Sequence, residues 1–158
     1  MSEQVRARVD DVRTPLDLPK LRELAASVHG RMVEANSCVW ETVDPVLLEL
    51  ARVRVTMVLD PRNEEIGTGS IISPEKLEAL RSWEDSPALS GLERACLAVV
   101  DQFVFYVADM DDALIADLLE YMDAGEVFCF VSALNFLDAT ERLRVSIDRL
   151  FDSKEVAR

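Results

Sequence analysis

The sequence predicts an all-helical fold built as one domain, and three observations predict it. Glycine is scarce, at five residues in 158. Apolar residues recur mainly at the i, i+3, i+4 spacing of a helix face. Residues that cap helix N-termini stand ahead of the apolar runs, twice with a proline just behind them.

A chain of 158 residues can bury roughly two thirds of its unfolded surface. No linker, low-complexity segment or repeat of fixed period divides it, so residues 1–158 are expected to form a single domain, with 1–14 a polar N-terminal arm. Pro19 opens a first helix over about 18–36, with an apolar stripe of Leu21, Leu24, Ala25, Val28 and Met32. Asp44-Pro45 opens a second, and Ser73-Pro74 a short third to about Arg81. Ser90 and Glu93 form a capping box for a helix from about Gly91 to Val107, whose buried face would include Cys96, Val99, Val100, Phe103 and Val107. Asp111 and Asp112 lead into "ALIADLLEYM". Asp123 and Glu126, again three apart, open a long last helix free of glycine and proline beyond its first turn.

"LLELARVRVTMVLDPRNEE", Leu47 to Glu65, is the ambiguous stretch, because "RVRVTMV" alternates as a strand would. Its Asp-Pro start favours a helix. On a helical wheel Val46, Leu47, Leu50, Val53, Met57 and Val58 form one apolar arc, and Glu49, Arg52, Thr56 and Asp60 group opposite. Arg54 falls inside the apolar arc, where a guanidinium must meet a carboxylate or reach water. The last helix offers Asn135, Asp138, Glu141 and Arg142 on one side, and Asp138 or Glu141 is the expected partner of Arg54. That constellation is either a polar pocket or a buried ion-pair network that sets helix register.

Acidic residues outnumber basic ones 30 to 17, a net charge of −13, which opposes binding to nucleic acid or an anionic membrane. No apolar run reaches the roughly 18 residues of a spanning helix, and the N-terminus lacks the apolar core of a secretory signal. A cytoplasmic protein is expected. Cys38, Cys96 and Cys129 are odd in number and widely spaced, so reduced thiols are expected instead of a disulfide framework. One histidine, His29, and no cysteine cluster argue against a transition-metal site; His29 reads as a partly buried packing residue, and no cofactor is expected.

"DPVLLELARVRV", "WEDSPALSGLERACLAVVDQFV" and "EVFCFVSALNFLDATERLRVSID" together resemble the carboxymuconolactone decarboxylase and alkylhydroperoxidase D-like family over about residues 40–148. The resemblance implies an all-helical homo-oligomer: a dimer, trimer or hexamer. It also implies a redox site in one branch, where a glutamate is followed by a CxxC pair and a histidine. Glu49 stands at that glutamate, while the other positions fall on Pro61, Glu64 and, near the end of a shortened loop, Thr68. Peroxide reduction by that route requires an attacking thiolate and a resolving thiol, and no cysteine lies between Cys38 and Cys96.

Three functions then compete. One is a redox-inactive relative acting as a cofactor-independent lyase or isomerase on a small carbonyl or lactone substrate. Glu49 and Glu64 would move protons, and Arg54, Asn135, Asp138, Glu141 and Arg142 would bind the substrate. The second is a thiol peroxidase using Cys38, the cysteine expected to be exposed. The third is a non-catalytic oligomeric module that binds a small molecule or a partner.

Overall fold

The computed structural model describes residues 16–61 and 71–155, and every regular element among them is helical. Glu64, Thr68 and the N-terminal arm lie outside the described residues. Pro19–Leu24 (α1) and Ala26–Thr42 (α2) come first, separated by Ala25 alone, followed by Pro45–Leu59 (α3), Pro74–Ala79 (α4) with a 3₁₀ turn at Leu80–Ser82, and Gly91–Tyr106 (α5). A 3₁₀ turn at Val107–Asp109, then Asp112–Leu119 (α6) and Ala124–Glu155 (α7), complete the chain.

The caps act where the sequence places them. Asp44 accepts from the backbone N–H groups of Val46 and Leu47 at 2.9 and 3.2 Å, and Ser73 caps α4 through Lys76 N–H. Ser90 and Glu93 exchange both bonds of a capping box at the start of α5, as do Asp123 and Glu126 at the start of α7. Each box satisfies two N–H groups that the helix itself cannot.

The first helix differs from expectation. At Ala25 the backbone leaves helical geometry (φ −148°, ψ 64°), its N–H still bonding the Leu21 carbonyl, and the chain then resumes as α2 to Thr42. Only Asn36 and Trp40 of α2 are buried, so Leu24 and Val28 of the apolar stripe stand 66% and 50% exposed.

The ambiguous stretch is the central helix. α3 packs against α5 and α7 together, which closes water out on more than one side: Leu48, Leu50, Val53 and Val55 are buried, and so are Glu49 and Thr56 of the face expected to be polar. One core cluster gathers Trp40, Leu48, Val55, Val99, Phe130 and Leu134, a second Leu50, Val53, Leu80, Trp83, Leu89 and Leu97. Each such side chain contributes about 1.5–3 kcal/mol by burial. Cys96, Val99, Val100 and Phe103 form the buried face of α5 as expected, while the Val107 side chain lies outside the described set.

Three of the long helices, α3, α5 and α7, start at the same end. First-turn residues of α3, α5 and α7 line one groove. At the opposite end Arg142 of α7 donates to the Val104 carbonyl of α5 at 2.8 Å, and Arg144 of α7 faces Asp60, the C-cap of α3. Parallel neighbours align their macrodipoles unfavourably. The acidic caps at the N-terminal end, and the bond from Arg142 to the last turn of α5, offset that alignment.

Candidate functional site

Among the described residues, those singled out in the sequence do not converge. Glu49 has no exposed surface, and Arg52, one turn on, donates to both of its oxygens at 2.8 and 2.9 Å. The expected surface glutamate is thus a buried ion pair, enclosed because α3 is covered on the side the wheel assigns to water.

Arg54 does meet a carboxylate, but neither Asp138 nor Glu141. Its guanidinium donates to both oxygens of Asp101 on α5 at 2.7 and 2.8 Å and to the Leu80 carbonyl at 2.9 Å. Trp83 Nε1–H adds a bond to the same Asp101 at 3.1 Å. This network ties the turn after α4 to α3 and α5, and all the donors reaching Asp101 have fixed planar geometry.

On α7, Asp138 instead accepts from Arg142 four residues on, at 2.8 and 3.0 Å. Glu141 pairs with Arg144 at 2.9 Å, and Asn135 is exposed. The Arg144 guanidinium also faces Asp60 and Asp148, and these three carboxylates raise its pKa against the lowering effect of burial. The constellation is real as a set of ion pairs, spread along one helix and its contacts instead of gathered round a cavity.

Among the thiols, Cys38 is exposed and Cys96 buried. Burial, then the charges of Glu93 and Asp44, push the Cys96 thiol up to about 12. Cys129 is half-buried and lines the groove. His29 is half-buried, and its Nε2 has no hydrogen-bond partner. No group of three or more His, Cys, Asp or Glu among the described residues could hold a metal ion, and no described helix is long and apolar enough to cross a membrane.

The cavity lies elsewhere, at the shared N-terminal end of α3, α5 and α7. It is an open groove of about 720 Å³. Val43, Val46, Leu47, Leu92 and Met122 supply its apolar surface. Its charged residues are Asp44, Glu93, Asp123 and Glu126, with Lys76 of α4. Lys76 is ion-paired to Glu93. Burial pushes the Glu93 carboxyl up, yet the hydrogen bonds from Lys76 and Ser90 together hold it below the usual glutamate value, so it is a carboxylate at neutral pH. Tyr121 forms one flank, lying so close to Gly91 that a Cβ there would collide with its hydroxyl. No protein-family model matches the chain, and no curated protein matches it.

Sequence reading missed the groove because its polar members were already explained as helix caps. The available signal was that three capped helices begin with carboxylates; only parallel packing brings those caps together.

Proposed function

We propose that the chain is a redox-inactive carboxymuconolactone decarboxylase-like protein that binds a small molecule in the groove at the N-terminal ends of α3, α5 and α7. The observation that carries this reading is the groove itself: apolar surface from three segments of chain, with Lys76, Tyr121 and the cap carboxylates converging on it. Pockets for small molecules have that make-up. The family reading rests on the sequence resemblance together with the all-helical fold, and fold alone names no reaction.

Thiol peroxidase chemistry is disfavoured by the thiols. Cys96 is buried with a raised pKa, and Cys38 sits alone on exposed α2 without a resolving partner in the sequence nearby. Acid/base catalysis by Glu49 with Arg54 is disfavoured because both are closed in ion pairs with other residues. A lyase or isomerase reading survives through the groove, where the Lys76 ammonium and the Tyr121 hydroxyl can donate to a carbonyl oxygen. Homo-oligomerisation belongs to the same proposal and is supported by the uncovered apolar residues Leu24, Val28 and Val33 on α1 and α2.

Two measurements test the reading. Cumene hydroperoxide with dithiothreitol as donor should show no turnover with the wild type or with Cys38→Ser; turnover lost in the variant would restore the peroxidase. Titration of neutral γ-valerolactone, followed by methyl NMR, should shift Leu47, Leu92 and Met122. Shifts confined to other methyls would remove the groove as the site.

A further inference from the structure

We propose that the groove selects its ligand by charge, admitting small molecules with an apolar body and an ammonium group and rejecting the corresponding carboxylates. This rests on the reading of the groove as a ligand site. The inference follows from comparing the charges that face this cavity of about 720 Å³.

Asp44, Glu93, Asp123 and Glu126 face it against Lys76 alone, and the Lys76 charge is already matched by Glu93. Three uncompensated carboxylates remain. The opposing field comes from the N-termini of α3, α5 and α7, each equivalent to about half a positive charge. The carboxylates therefore prevail by roughly one to two charges, so the groove is negative although three helices point their positive ends at it. The molecule's net charge of −13 adds a field of the same sign over longer range.

The bonding pattern leaves those carboxylates able to act. Asp44 takes both of its cap bonds on Oδ1. In the α7 box Asp123 uses Oδ1 and Glu126 uses Oε2. Each cap bond thus occupies one oxygen of its carboxylate. Tyr121 lines the flank, and an aromatic ring is the kind of group a cation approaches at a gain of about 0.5–2 kcal/mol. The apolar residues Val46, Leu92 and Met122 would cover the body of the ligand.

The test compares three probes of one shape on the full chain: benzylammonium, benzyl alcohol and benzoate, each titrated while the methyl signals of Leu47, Leu92 and Met122 are followed by NMR. Benzylammonium should bind at least about tenfold more tightly than benzoate, with benzyl alcohol between, a tenfold ratio being worth about 1.4 kcal/mol. Asp44→Asn, Asp123→Asn and Glu126→Gln retain capping groups while removing charge, so the combined variant should lose the preference for benzylammonium over benzoate. Benzoate binding as tightly as benzylammonium at the same methyls would overturn charge selection and leave the groove standing. Absence of shifts with all three probes would overturn the groove reading and this inference together. Should the combined variant fail to fold, the wild-type ranking of the probes decides the matter.

Discussion

Cys96 shows how one buried thiol reports its surroundings. Burial, with Glu93 and Asp44 nearby, sets its pKa at about 12, so at pH 8 its thiolate is roughly 10³-fold scarcer than for an ordinary cysteine. Mass-spectrometric counting of iodoacetamide adducts should find Cys38 modified first and Cys96 only in unfolded protein; rapid native-state labelling of Cys96 would contradict its placement. Arg54 makes a second prediction at this scale. Replacing it by Met leaves Asp101, about a fifth exposed, with Trp83 as its remaining donor among the bonds seen here. The loss should be about 2 kcal/mol by urea denaturation, with most of it recovered in the Arg54→Met, Asp101→Leu double variant. The wheel exposed Arg54 as anomalous, but its partner lies 47 positions away, and no local periodicity could choose Asp101 over Asp138 or Glu141.

At the scale of elements, the helix boundaries follow from local chemistry, since a cap bonds N–H groups two or three residues ahead. The starts of α3, α4, α5 and α7 were readable for that reason. The break at Ala25 was not readable, because an alanine between two helical runs carries no stop signal. The α5 box also gives a pH dependence. Glu93 has a folded pKa below that of the unfolded chain, about 4.3, through its bonds to Lys76 and Ser90. Its contribution to stability is therefore complete above about pH 4.3 and is lost as pH falls through the folded value. The urea midpoint should fall over that acid range in the wild type and fall less steeply in Glu93→Gln; parallel curves would remove the Lys76–Glu93 pair as a source of acid sensitivity. Gly91→Ala should displace Tyr121, seen as a shift of the Tyr121 ring resonances, with α5 itself intact. Unchanged tyrosine signals would contradict the close approach.

For the whole molecule, the decisive feature is that α3, α5 and α7 point the same way. It gathers the cap carboxylates at one end and sets Arg142 and Arg144, with their carboxylate partners, against the C-terminal turns of α5 and α3, and it leaves Leu24 and Val28 of the N-terminal apolar stripe in water. The proposed homo-oligomer would cover that stripe. Sedimentation equilibrium should find a species larger than the monomer, reduced to monomer by Leu24→Lys with Val28→Lys; a wild-type monomer at micromolar concentration would remove the proposal.

The sequence by itself determined the all-helical class, most helix starts, the absence of a dithiol between Cys38 and Cys96, and the oddity of Arg54. These depend on spacing and composition within a turn or two of chain. Only the tertiary structure decided that Glu49 is enclosed, that Arg54 meets Asp101, and that the caps of three helices share a groove. Those outcomes depend on how separate helices are oriented, and a helix face becomes buried or solvated according to which neighbours pack on it.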